Sequence, residues 1–333
     1  MIRILQTNPL NTVQDLGRFG FRNIGVTSSG AMDSLALVIG NLLVGNDDGA
    51  PAIEVQTFPF RIAFDCDTVI ALTGADCSAT LDGESLPGWW MTPIKKGQVL
   101  ELSAAKKFAR AYVAVAGGIR VDAVLGSAST SLRGAFGGHE GRFLQTGDCL
   151  EINHPEGGLL PAHDFGVEPP HIALADYFPV ASDGTLVIRA VPSTEYALFG
   201  AEAERFWAQN WKISSQSDRT GYRLNGEPIL LSSPVELRSH GVVPGVVQMP
   251  PAGEPIIQMS DANTAGGYPK IAGVIEVDLW RMGQARIGSH VGFMRSSAAE
   301  ARTVEQALKA YIDDIRATSA LLSQSLRTIA KKS

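Results

Sequence analysis

The residues best equipped for chemistry run from Gln258 to Lys270, as Gln258-Met259-Ser260-Asp261-Ala262-Asn263-Thr264-Ala265-Gly266-Gly267-Tyr268-Pro269-Lys270. The stretch leaves an apolar strand and enters a glycine pair, so its polar groups would project from a rigid edge. A carboxylate at Asp261, with Thr264 and Tyr268, could orient or deprotonate a water, while Gly266-Gly267 would let backbone N–H groups approach a developing oxyanion. A plain connector needs the Gly and Pro but not those three side chains together. A second cluster, Ser215-Gln216-Ser217-Asp218-Arg219-Thr220-Gly221-Tyr222-Arg223-Leu224, packs two guanidinium groups, a carboxylate and a phenol into a turn-prone segment. An arginine fork suits a carboxylate or phosphate; the same spacing also permits an Asp218–Arg219 surface ion pair. A further cluster, Gly126-Ser127-Ala128-Ser129-Thr130, leads to Arg133 and Gly137-Gly138-His139-Glu140-Gly141-Arg142. It reads either as an anion-binding nest or as an Ω-like loop between hairpins.

Several common engines are absent. There is no G-x-S-x-G, H-E-x-x-H, G-x-x-x-x-G-K-[ST] or G-x-G, which removes the local signatures of nucleophile elbow, zincin, P-loop and Rossmann sites. The histidines at 139, 154, 163, 171, 240 and 290 lack metal-ligand spacing, and no metal is expected. Cys66, Cys77 and Cys149 are odd in number without C-x-x-C spacing, so they read as reduced thiols. The A-M-K-M type of biotin attachment sequence is missing, so any biotin would arrive on another polypeptide.

The elements that must position these clusters are mostly strands. Short β-type runs (Ile2-Leu5, Ala52-Thr57, Arg61-Phe64, Thr68-Thr73, Ser78-Leu81, Val99-Ser103, Ala111-Ala116, Cys149-Ile152) are separated by Gly, Asp and Pro. One helix is predicted from Ser34 to Val44, with Asp33 as N-cap and Gly45-Asn46 as stop. Residues Pro155 to Pro179 read as a connector, which places a boundary near residue 180. Beyond it lie the strand Leu186-Val191, a helix from Ser193 to about Trp207, and strands near Lys212-Ser214, Val246-Met249, Pro255-Met259, Lys270-Val277 and His290-Met294. From about Ser297 a long amphipathic helix carries Val304, Leu308, Tyr311, Ile315, Thr318, Leu322 and Ile329 on one stripe. Such a stripe fits a helix laid on its own domain better than a coiled coil.

With 333 residues, two domains are expected. A charged fraction of 19%, below the roughly 25% of an average domain, suggests surface covered by another chain. The net charge of −6 offers no field for a phosphate backbone, and no basic run is longer than a pair such as Lys331-Lys332. No signal-type apolar segment opens the chain and no long apolar run crosses it, so a cytoplasmic location is expected.

Together with Thr12-Val13-Gln14-Asp15-Leu16-Gly17-Arg18, Gly30-Ala31-Met32-Asp33, Asn41-Leu42-Leu43-Val44-Gly45-Asn46, Tyr112-Val113-Ala114-Val115-Ala116-Gly117-Gly118-Ile119, Gly147-Asp148-Cys149-Leu150, Ser239-His240-Gly241-Val242-Val243-Pro244-Gly245 and Gln248-Met249-Pro250-Pro251-Ala252-Gly253, the three clusters resemble the allophanate hydrolase subunit 2 family in order and spacing. The resemblance implies a mostly β fold of two β-barrel domains, the second cyclophilin-like, with a C-terminal helix. The corresponding division is 1–180, 181–300 and 301–333. It further implies one component of an ATP-dependent 5-oxoprolinase, a hydrolase acting on a cyclic amide. Its partners would be a subunit 1 or B-type (KipI-like) homologue and an A-type (LamB/YcsF-like) protein, with ATP bound at or across an interface. Two other roles within the resemblance are a carboxyltransferase fed by carboxybiotin and a regulatory partner without turnover. The expected catalytic residues are Asp261, Thr264 and Tyr268. Those expected to bind substrate or nucleotide are Gln216, Ser217, Asp218, Arg219, Tyr222, Arg223, Gln248, Gly266 and Gly267. Ala128 stands where the family commonly has Arg, which sets the glycine-serine cluster below the other two.

Overall fold

The structure is a computed structural model that describes residues 1–153, 164–231, 235 and 237–330, with side chains of the last helix described as far as 322. His154, His163, the first part of the expected connector, the Ile329 side chain and Lys331-Lys332 lie outside the described residues. The chain forms two compact units, one of Met1–Arg18, Ser29–Pro169 and Lys309–Ser333, the other of Phe19–Ser28 and Pro170–Leu308. A cut near residue 180 into consecutive blocks was expected. Instead the ten residues Phe19–Ser28 join the second unit, because Arg22 finds its hydrogen-bond acceptors there.

Strands of the first unit make two six-stranded sheets. One is ordered Cys149–Leu150, Ile2–Gln6, Phe60–Phe64, Val99–Leu102, Ala79–Leu81, Glu84–Ser85; the other Phe165–Gly166, Trp90–Ile94, Thr68–Asp76, Lys107–Val115, Ala52–Val55, Thr12–Gln14. They are open sheets where a barrel was expected. Phe60, Ile62 and Phe64 alternate inward, as the period-two pleat requires, and meet Ile2, Ile4, Val55, Leu100, Leu102 and Val113 in one core. Strand Thr68–Asp76, by contrast, is buried almost throughout, since the helix Ser34–Leu43 covers its other face and Thr73 Oγ1 donates to the Ala36 carbonyl at 2.7 Å. That helix begins as expected, with Asp33 accepting from Ala36 N at 2.8 Å.

The second unit is a closed seven-stranded barrel, ordered Leu186–Pro192, Lys270–Val274, Val246–Gln248, Ile256–Gln258, Gly221–Asn225, Trp211–Ile213, His290–Arg295. The parallel pairing of Leu186 through Ala190 with Val291 through Arg295 closes it. Inside pack Ile188, Trp211, Tyr222, Leu224, Val247, Ile257, Ile271, Val291 and Phe293. Asp278, fully buried, accepts from Arg189 N, Nε and Nη2 and so pins the closing strand. The helix expected over Ser193–Trp207 is broken. Gly200 takes φ 54°, ψ −137°, leaving a 3₁₀ stretch Tyr196–Glu204 and a short helix Arg205–Ala208.

The last helix, Ala298–Ala330, starts on a capping box in which Glu300 N donates to Ser297 Oγ at 3.2 Å and Ser297 N to Glu300 Oε2 at 2.7 Å. Its buried stripe runs Val304, Ile315, Ser319, whereas Thr318 and Leu322 face solvent. The covered face steps by four residues from Ile315 to Ser319. Tyr311 donates its hydroxyl to the Glu168 carbonyl at 2.5 Å, and Arg316 pairs with Asp48 at 2.8 Å, so this part of the helix is fastened to its own unit.

A buried polar knot underlies the first helix. Tyr112, with no exposed surface, donates to Glu54 Oε2 at 2.6 Å and accepts from Asp33 N at 2.8 Å, while Met32 N donates to the same Glu54 oxygen at 2.8 Å. Burial and the adjacent Glu54 push the phenol well above its ordinary range, which keeps it a donor. Tyr112→Phe takes the hydroxyl from a buried carboxylate, and the expected loss is about 1.5–3 kcal/mol. Urea unfolding of the full chain measures it; an unshifted midpoint would show that the knot does not constrain the fold.

Candidate functional site

Strand Gly221–Asn225 determines where the second cluster goes. Alternation turns Tyr222 and Leu224 into the barrel and leaves Arg223 exposed. Ahead of the strand the chain folds into a turn: Asp218 Oδ1 accepts from Thr220 N at 2.8 Å and Gly221 N at 3.1 Å, and Ser217 Oγ accepts from Arg223 N at 3.0 Å. Ser217 and Asp218 therefore build the turn, and Gln216 is exposed beside it. Arg219 is the member that points inward, with only 4% of its surface exposed. The two guanidinium groups do not form a joint fork, because one is buried and the other lies on the outer face.

Arg219 meets Asp261. Its Nε donates to Oδ2 at 3.1 Å and its Nη2 to Oδ1 at 3.3 Å, and Asp261 is 8% exposed. The backbones join at the same place, with Asp261 N donating to Arg219 O at 2.9 Å and Met259 N to Thr220 O at 3.0 Å. The second and third clusters thus become one structure. Asp261 is engaged through both oxygens and holds Arg219, where the sequence reading has it, with Thr264 and Tyr268, orient or deprotonate a water.

Beyond Asp261, Thr264 offers its carbonyl to Val242 N at 3.1 Å, and Ala265–Gly266 pairs with His240–Gly241 in a two-stranded ribbon. Gly266 lies close under Gln248: a Cβ there would stand 2.6 Å from Gln248 Nε2 and displace that amide. Tyr268 presents its ring to solvent, 46% exposed. Gln248 is 4% exposed and accepts from Gln258 Nε2 at 3.1 Å, yet Gln248 Nε2 and Gln258 Oε1 are buried without a hydrogen-bond partner among the described residues. Buried polar atoms are matched in the great majority of cases, so an unmatched donor beside an unmatched acceptor singles this amide pair out.

One residue here escaped sequence reasoning. Arg22, from the inserted segment, donates through Nη2 to the carbonyls of Val242 and, at 2.6 Å, Asn263, and through Nη1 to the Ala262 carbonyl, at 3.5 Å, and Ser28 Oγ, at 3.4 Å. It faces no carboxylate among the described residues, and burial lowers its pKa. The signal was its place in the Gly17–Gly30 stretch beside family motifs; its carbonyl acceptors lie more than two hundred residues away.

The glycine-serine cluster of the first unit is spent internally. Asp15 accepts from Gly17 N, Ser127 Oγ, Ala128 N and Ser129 Oγ, while Arg18 donates to the carbonyls of Val124, Ser127 and Ser129 and lies 4.7 Å over the Phe136 ring. A polar cleft of 560 Å³ opens beside it, lined by Arg120, Asp122, Glu151 and Phe136 through Gly141. No cluster of three His, Cys, Asp or Glu able to hold a metal, and no helix long and apolar enough to cross a membrane, is found among the described residues.

The family model for the carboxyltransferase domain, subdomain A and B, matches residues 24–295. The chain belongs to that family. It is 41% identical over 317 residues to the C subunit of 5-oxoprolinase from Haemophilus influenzae, covering 95% of this chain and 98% of that protein. With the C subunit of 5-oxoprolinase from Escherichia coli it shares 42% over 316 residues, 95% of this chain and 97% of that one. Among solved structures, the Kluyveromyces lactis urea carboxylase aligns at a TM-score of 0.83 with 31% identity, covering 94% of this chain and 29% of its own. Membership in the family extends across both units, so the Arg219–Asp261 pair and the amide pair sit inside the matched region.

Asp261→Asn leaves Arg219 buried beside a neutral partner. Breaking a buried pair costs about 3 kcal/mol or more, so the unfolding midpoint should fall clearly along with any activity. A lost activity at an unchanged midpoint would instead return Asp261 to the role of base.

Proposed function

We propose that this chain is the C component of a cytoplasmic, ATP-dependent 5-oxoprolinase, which opens the lactam of 5-oxo-L-proline to L-glutamate together with A-type and B-type partner chains. The observation that carries this reading is the end-to-end likeness to two bacterial 5-oxoprolinase components of that type, at 41% and 42% identity over 98% and 97% of their lengths. The urea amidolyase of Saccharomyces cerevisiae, at 32% identity, is matched over only 17% of its length.

In lactam hydrolysis water adds to the carbonyl carbon, the C–N bond breaks, and the nitrogen leaves as an amine after taking a proton. A lactam presents N–H and C=O on one cis edge. Gln248 Nε2 and Gln258 Oε1 offer the complementary donor and acceptor, and we assign the amide pair to recognition of that edge. The Arg219–Asp261 pair and Arg22 hold the two loops beside it. Thr264 and Tyr268 are assigned to the same rim.

ATP would activate the lactam oxygen. In the glycine-serine cluster Ser127 and Ser129 are committed to Asp15, and the amides of Gly138 and Gly141 donate to Ala128 O and Gly137 O, so these groups are not offered to a triphosphate. We assign the nucleotide to the partner chains or an interface with them.

Co-expression with the A-type and B-type partners, followed by size-exclusion chromatography and a glutamate-release assay, tests the reading. ATP-dependent turnover should require all three chains, with this chain alone inactive. Turnover that persists without it, or that it performs unaided, would overturn the assignment.

A further inference from the structure

A cluster that no part of the preceding site uses stands next to it on the second unit. Glu195 Oε1 is shared by two nitrogens, His240 Nε2 at 3.2 Å and Lys270 Nζ at 3.3 Å, and its Oε2 accepts from Lys270 N at 2.7 Å. His240 Nδ1 lies 2.9 Å from the Arg238 carbonyl. Both ring nitrogens of His240 thus face oxygens that only accept, and a neutral imidazole can donate to one of them alone. The geometry suits an imidazolium. With His240 protonated, two cations share one carboxylate and the cluster carries a surplus positive charge.

Placement gives that surplus a use. His240 is paired with Gly266 in the ribbon and Lys270 with Gln248 on the adjacent barrel strand, so the cations, gathered on one Glu195 oxygen, belong to backbone positions next to the glycine pair and the amide pair. The Lys270 side chain is 11% exposed and that of His240 42% exposed. Lys270 Nζ uses one of its three N–H groups on Glu195. A second carboxylate would balance the charges and occupy the remaining donors.

We propose that Lys270 and His240, held by Glu195, bind the carboxylate of the substrate. This rests on the lactam reading above and deepens it: Gln248 and Gln258 take the amide edge, and the cation pair takes the acid that distinguishes 5-oxoproline from a simple lactam. A nucleotide phosphate has the same oxyanion chemistry, and the test separates the two sources.

The test compares 5-oxo-L-proline, 2-pyrrolidone, which lacks the carboxylate, and ATP as ligands of the full chain, alone and in the three-chain complex. Binding is followed by titration calorimetry and by the His240 ring proton signals. Lys270→Met should weaken 5-oxo-L-proline by about ten- to hundredfold, the loss of a charge-assisted bond, and leave 2-pyrrolidone and ATP unchanged. Lys270→Arg should restore most of the loss, and in the complex the effect should fall on KM with kcat within about twofold. Equal weakening of 5-oxo-L-proline and 2-pyrrolidone, a loss confined to ATP, or wild-type affinity in folded Lys270→Met would each overturn the proposal. Carboxylate binding that depends on Lys270 in a complex without turnover would uphold it and sink the lactamase reading instead.

Discussion

A guanidinium taken out of water has to be matched at once by charge or by several acceptors, because an isolated buried ion is too costly to keep. In the second unit this constraint sets the arrangement of the whole site. Arg219 reaches its match only if the turn before Gly221 and the loop after Gln258 lie side by side, and the backbone bonds between Asp261 and Arg219 and between Met259 and Thr220 follow from that juxtaposition. The register of Gly221 against Gln258 in the barrel continues the same contact. Arg22 solves the problem differently, by drawing in carbonyls of 242, 262 and 263, and thereby fixes the early segment Phe19–Ser28 to this unit.

The first unit obeys the same rule. Asp15 gathers two hydroxyls and two amides, and Arg18 gathers three carbonyls, so Gly126 through Gly141 is shaped by ions that belong to an earlier stretch of chain. Polar residues in a glycine-rich run look like ligand donors when read locally. Here many of their lone pairs and N–H groups are used by the fold, whereas in the second unit the amide pair leaves a buried donor and a buried acceptor unmatched among the described residues.

That difference explains what was legible in the sequence. Local periodicity carries over well: Phe60, Ile62 and Phe64 alternate, Asp33 caps its helix, and the strands that close the barrel were placed within a few residues. Long-range pairing has no local signature. Nothing around Arg22 announces acceptors near residue 242, and nothing in the string Asp218-Arg219 shows that the carboxylate caps a turn while the guanidinium turns away to Asp261. Gly200 ended a helix whose apolar residues were otherwise acceptable, since one residue at φ 54° outweighs a pattern. The stripe expected through Thr318 and Leu322 steps by three and four residues from Ile315, but the covered face passes from Ile315 to Ser319 and leaves those two exposed.

The charges around the amide pair bear on how an acidic chain could receive an acid. Its net charge is −6, and a field of that sign would repel a carboxylate at long range. Salt shortens the reach of exposed charges to about 8 Å, so the ions nearest the rim decide. Arg219 and Asp261 cancel one another; Arg22 faces only carbonyls and a hydroxyl among the described residues; Glu195 is matched by Lys270, and a protonated His240 would outnumber it. With that proton the local balance is positive. Because those cations stand within one strand pairing of Gly266 and of Gln248, the anionic end of a small ligand and its amide edge could be held by the barrel and the ribbon beside it, with no need for the chain as a whole to be basic.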